Sequence, residues 1–108
     1  MSTTVGKLRQ RLHLESSTPT RNSVGEEVDN WEAYDVVWGE VVPLSGRELF
    51  QARQVEAEVT HRVTIRYRDG VSPKHRVIHK NRTLEVVSVL DREERERWLD
   101  LVCKEAIA

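Results

Sequence analysis

Val59-Thr60-His61-Arg62-Val63-Thr64-Ile65-Arg66-Tyr67-Arg68 decides the fold. Val59, His61, Val63, Ile65 and Tyr67 share one parity, and Thr60, Arg62, Thr64, Arg66 and Arg68 the other. Successive side chains of a strand point to opposite faces, so this is a strand with one buried face and three arginines on the other. Asp69-Gly70 and then Ser72-Pro73 supply turn residues that end it.

Downstream, Val77 and Ile78 mark a short strand over His75–His79, Lys80-Asn81 a turn, and Thr83–Leu90 a further strand. Asp91–Arg97 is charged throughout and offers nothing to a core. Trp98, Leu99, Leu101, Val102 and Cys103 then interleave with Asp100 and Lys104, which fits a last strand or, alternatively, a short helix. Upstream, Leu8, Leu12 and Leu14 alternate with Arg9, Arg11 and His13, leaving Gln10 as the one polar residue on the inner face of a half-buried strand. Asp35–Val42 is apolar on both parities, as expected of a central strand in a covered sheet, with Trp38 assigned to the core. Pro43 lacks the N–H needed to continue the ladder.

Two segments break this pattern. Glu15–Trp31 holds only Val24 and Val28 as aliphatic residues among serines, threonines and acids, and reads as a long surface loop pinned by Trp31. Ser45-Gly46-Arg47-Glu48 has the spacing of a capping box. The helix it would open, Leu49–Glu58, has a thin apolar face of Leu49, Phe50, Ala52 and Ala57, so it needs a partner to pack on or forms a mobile excursion. The expected architecture is mainly β: a small antiparallel β-barrel with one short helix and long loops, in a single domain spanning 1–108.

Composition narrows the function. The 108 residues carry 17 Lys+Arg against 18 Asp+Glu, a net charge of −1, so the basic footprint of a nucleic-acid-binding chain is absent overall. Met1–Leu14 has no apolar core of a secretory signal, and no apolar run approaches a membrane span. A single cysteine, Cys103, excludes an intrachain disulfide and a multi-cysteine zinc site. The expectation is a protein made in the cytoplasm, with no membrane partner.

No residue set argues for catalysis. His75 and His79 would stand about 13 Å apart on a strand, too far for one metal ion, and read as exposed polar positions. Cys103 with His61 could be a nucleophile and base, but a free cysteine among Leu101 and Val102 more often behaves as a small hydrophobe. Ser45 lacks a nucleophile-elbow context, and no glycine-rich phosphate loop is present. No catalytic, cofactor or metal residues are therefore assigned. The densest charge signal is the basic 62–82 face, with Arg62, Arg66, Arg68, Lys74, Arg76, Lys80 and Arg82 against Asp69. It allows a second reading as a small nucleic-acid-binding β-barrel, although only Tyr67 is near for stacking.

Several pieces in order resemble the head–tail joining (head-completion or head-closure) family of tailed double-stranded DNA phages. They are Gly6-Lys7-Leu8-Arg9-Gln10-Arg11-Leu12, the polar stretch with Gly25 leading to Trp31, and Val37-Trp38-Gly39-Glu40-Val41-Val42-Pro43-Leu44-Ser45-Gly46-Arg47-Glu48. Thr60–Arg68 with its Ile-Arg-Tyr core, Asn81–Val86 and Arg97–Glu105 complete the set. Gly39 stands where the family commonly has alanine, and Leu84 where an aromatic is frequent. The resemblance implies a non-enzymatic virion protein at the head–tail interface of a phage or prophage, needing no cofactor and helping to close the DNA channel. It implies a portal or adaptor connector ring and a tail-completion or tail-terminator protein as partners, and a possible contact with packaged DNA. It also implies a ring of copies, dodecameric when assembled, from a chain expected to be monomeric when free. The expected inter-subunit and portal-side contacts are the Glu15–Trp31 loop with Trp31, the 45–58 excursion with Arg47, Glu48, Leu49, Phe50 and Arg53, which would face the channel, and the 91–108 segment, together with Arg66, Arg68 and Trp98.

Overall fold

A computed structural model describes residues 8–106. Gly6 and Lys7 of the first motif, and the last two residues of the 91–108 segment, lie outside this range. Six strands follow in order: β1 (Gln10–Arg21), β2 (Glu27–Pro43), β3 (His61–Arg66), β4 (Arg76–His79), β5 (Arg82–Asp91) and β6 (Trp98–Glu105). One helix, α1 (Gly46–Arg53), lies between β2 and β3, and a 3-10 turn (Arg92–Glu94) precedes β6. All neighbours pair antiparallel in the order β1-β2-β3-β6-β5-β4, and β4 returns to β1 to close a barrel. The last segment is therefore a strand rather than a helix. No described helix is long and apolar enough to cross a membrane.

Closure turns one face of every strand into a shared interior. Leu12 and Leu14, Val63 and Ile65, Val77, Leu84 and Val86, and Leu99, Leu101 and Cys103 fill it. Gln10, the polar entry on the inner face of β1, accepts a hydrogen bond through Oε1 from the Val41 amide at 2.6 Å. Gly39 sits close against β1 and β3: a Cβ there would lie 2.5 Å from Leu12 Cδ1 and 2.9 Å from the Thr64 carbonyl oxygen. The glycine is thus the inward residue between Val37 and Val41, and Trp38 must point outward. This corrects its assignment to the core; Trp38 is 53% exposed, with the Arg11 guanidinium 5.0 Å from its ring centroid.

Glu15–Trp31 is not a loop. It is the outer part of a β1–β2 hairpin, paired from Glu15↔Ala33 to Arg21↔Glu27. A bulge at Tyr34, where the register shifts between Leu14 and Glu15, bends the ribbon where β1 leaves β4. At the tip, Asn22 Oδ1 accepts from the amides of Val24 and Glu26, both at 3.0 Å, while Gly25 takes φ +84°. Ribbon residues 18–30 are exposed on both faces, so backbone hydrogen bonding, not burial, holds this strand pair.

Thr64 also differs from its expected place on the solvated face. It is buried because Asp100, opposite it on β6, accepts from its hydroxyl at 2.8 Å, and Arg92 Nε donates to the other Asp100 oxygen at 2.8 Å. Ser45 is the N-cap residue of α1 but makes no side-chain cap, and Glu48 pairs instead with Arg62. The capping box is therefore not formed, because the guanidinium is the stronger partner for that carboxylate.

β2 runs 17 residues from the ribbon through the barrel wall to Pro43. At about 3.3 Å per residue it spans roughly the whole 50 Å long axis of the molecule. The hairpin tip and α1 therefore project from opposite ends.

Candidate functional interface

α1 carries Arg47, Glu48, Leu49, Phe50 and Arg53 on a short helix with no buried residue. Phe50 is 67% exposed and Val55, just beyond the helix, 91%. The excursion is tied to the barrel by Glu48 with Arg62 and by Glu58 with Lys104 at 3.3 Å. Leu44 and Val59, which flank it, are buried.

The other expected contact residues fall elsewhere on the barrel. Arg66 and Trp98 face each other across β3 and β6, with the guanidinium 5.9 Å from the ring centroid. Arg68 lies 5.0 Å from the Tyr34 ring and pairs with Asp35 at 3.4 Å. Trp31 is on the ribbon, braced by Arg76 at 4.2 Å, and Arg76 in turn pairs with Glu15 at 2.6 Å. Trp31 thus does hold this segment to the barrel, but from within a strand.

Arg66 and Arg68 border a cleft of about 770 Å³ that also has Leu8, Arg9, Asp35, Val37, Trp38 and Tyr67 in its walls. Sequence reading missed this cleft because Trp38 was assigned inward; Gly39 beside it was the signal that the parity had to be shifted by one. The cleft is lined by apolar and aromatic side chains together with three arginines and one carboxylate.

The basic face is less available than its sequence suggests. Arg62, Arg68, Arg76 and Arg82 are each paired with a carboxylate, and Arg66, Arg68 and Arg76 each lie against an aromatic ring. Tyr67 donates its hydroxyl to Asp69 at 2.9 Å. Those rings are not free stacking platforms.

The barrel brings His61 and Cys103 opposite one another on β3 and β6. Burial pushes the thiol up to about 12, so it stays protonated near neutral pH, and it donates to the Leu101 carbonyl at 3.5 Å. His61 Nε2 is 2.9 Å from Arg82 Nη2, which can only donate, so Nδ1 carries the proton and donates to Thr60 Oγ1 at 2.8 Å. The pair therefore has neither a thiolate nor an unoccupied base. His79 is buried and His75 half-buried, not exposed as expected; His75 Nδ1 lies 2.9 Å from the Tyr34 hydroxyl. Among the described residues no group of three or more His, Cys, Asp or Glu is placed to hold a metal.

Burial holds the pKa of His61, His75 and His79 below the ordinary 6.5, with nearby cations lowering each further. Below pH 6.5 the unfolded chain then binds more protons than the folded one, so stability is full above 6.5 and falls as the pH drops through it. Urea melts at pH 7.5 and 5.5 should show a lower midpoint at 5.5, and His61→Gln should shrink the difference. An equal midpoint at both values would contradict the assignment. Glu105, held below its usual 4.5 by Arg82, adds its loss only at lower pH.

The fold and sequence are shared with known proteins. The solution structure of protein SF1141 from Shigella flexneri 2a superposes with a TM-score of 0.78 at 23% identity, covering 96% of this chain and 97% of that one. A chain from the virion of a native gene transfer agent particle superposes at 0.64 with 18% identity, covering 94% and 97%. Head completion protein gp7 of Enterobacteria phage HK97 is 26% identical over 104 residues, covering 92% of this chain and 93% of that protein. Residues 3–106 match the phage head completion protein family, and the chain accordingly belongs to that family of structural virion components.

Proposed function

We propose that this protein joins the DNA-filled head of a tailed phage or prophage to its tail and helps to close the DNA channel. The observation that carries this reading is the pair of projections at opposite ends of a closed barrel, which suits one rigid subunit to two partners at once. The exposed Phe50 and Val55 support the reading of the α1 excursion as the end that docks and faces the channel. The partners are a portal or adaptor ring above and a tail-completion or tail-terminator protein below. The free chain is monomeric and forms a ring, taken as dodecameric, when it binds the connector. The role is architectural and not catalytic; the protonated Cys103 thiol and the occupied His61 ring support this.

The test is co-elution of the purified chain with a portal–adaptor ring from the same genome, followed by negative-stain imaging. A new ring of density beneath the connector is the expected result. A folded monomer that never co-elutes would overturn docking on the head side.

A further inference from the structure

The cleft is lined by Arg9, Arg66 and Arg68 with the single carboxylate of Asp35, and by Leu8, Val37, Trp38 and Tyr67. Arg66 is exposed and has no ion pair among the described residues. The hairpin tip has the complementary chemistry. Val24 is 73% exposed at its apex, with Glu26 and Glu27 two and three residues on and Asp29 and Glu32 following along β2. Arg21, the basic residue of the tip, is turned back onto the Gly25 carbonyl at 2.8 Å.

The tip cannot enter its own cleft. Glu27 and Trp38 lie on one continuous strand, so about 35 Å of extended chain separates them. We propose that the hairpin tip of one copy docks in the cleft of the next, Val24 against Trp38 and Val37, with Glu26 and Glu27 on Arg66 and Arg68. Two different surfaces meet in this contact. It is head-to-tail, and repetition generates a ring when the rotation closes. The acidic tip disfavours a nucleic acid as its partner, and its charge opposes that of the cleft it would fill. The proposal rests on the ring reading above and names the contact within that ring.

The test uses the full chain carrying both Val24→Cys and Trp38→Cys. Both positions are exposed, and the buried native Cys103 thiol, raised to about 12, is a silent background. Mild oxidation on the connector ring, and separately at high protein concentration, should give a ladder of covalent oligomers on a denaturing gel. Either single variant should stop at dimers. Glu26→Lys with Glu27→Lys in the double-cysteine chain should slow ladder formation at least about tenfold, and adding Arg66→Glu should restore part of it. No ladder in either setting overturns the contact. So does a ladder indifferent to the charge reversal, or a cleft that instead binds oligonucleotide through Arg66. Negative-stain images of the same samples report the ring independently of the cysteines, so a ring without a ladder refutes this contact alone, and absence of both refutes the ring as well.

Discussion

Replacing Leu101 by alanine is expected to lower the unfolding free energy by about 3–5 kcal/mol. Leu101 is fully buried on β6, opposite Val63 of β3 on one side and Val89 of β5 on the other. The deleted methyl groups lose their transfer free energy, and a cavity term adds to it when the surroundings cannot collapse. Here collapse is resisted by topology. The six strands form a continuous hydrogen-bonded ring, so β6 cannot move inward without breaking ladders to both neighbours. Domains of this size hold about 5–15 kcal/mol in all, and each kcal/mol moves the midpoint by about 4–8 °C. The melt should therefore fall by more than ~10 °C. Leu90→Ala, at a position 56% exposed on β5, should stay within about 0.5 kcal/mol. A loss below about 1 kcal/mol at Leu101 would mean that the interior is loosely packed.

The same contrast separates what the sequence makes legible from what it hides. β3 alternates Val63 and Ile65 with Arg62 and Arg66, and β6 buries Leu99, Leu101 and Cys103 at every second position, so burial imposes a period of two on their residues. Over residues 18–30 the ribbon of β1 and β2 has no such signature, because both faces are exposed there; its order comes from backbone pairing and the Asn22–Gly25 turn, with Trp31 against Arg76 at its base. Thr18, Thr20 and Val28 are good strand residues, but their propensity alone does not outweigh a composition rich in Ser, Asp and Glu. Strand propensity depends on neighbours, and here the neighbours were the missing information.

Trp38 failed for a different reason. Size and flanking valines suggest burial, yet parity along β2 is set by Gly39, whose inward face must stay empty beside Leu12 and the Thr64 carbonyl. The cleft followed from that one residue. The resemblance to head-completion proteins was readable because it rests on ordered motifs across the chain, not on any site chemistry. Of the expected contact residues, the five on α1 lie together, whereas Arg66, Arg68 and Trp98 lie along the barrel wall and Trp31 on the ribbon.

Deleting Arg47–Glu58 should leave the barrel intact and abolish docking or closure. The deleted residues contribute nothing to the interior, since α1 has no buried residue. Leu44 and Val59 are retained, and the Leu44 amide already bonds the Thr60 carbonyl at 2.9 Å, so the two chain ends are in hairpin register. Ser45-Gly46 would then join β2 to β3, and Gly46 already holds the positive φ of +57° that a tight two-residue turn needs. The losses are the Glu48 partner of Arg62, whose own side chain is 14% exposed, and the Glu58 partner of Lys104; both carboxylates are substantially exposed, so the stability change should be small beside that of Leu101→Ala. The deletion variant should therefore melt cooperatively near the parent midpoint. On the functional side the effect should be all-or-none, because Phe50 and Val55 supply the large apolar side chains exposed at that end of the molecule. Co-elution with the connector ring should vanish, or particles assembled with the variant should lose nuclease protection of their DNA. Loss of the cooperative melt would place the segment in the folding core, and retention of both docking and DNA would assign the contact to the opposite end.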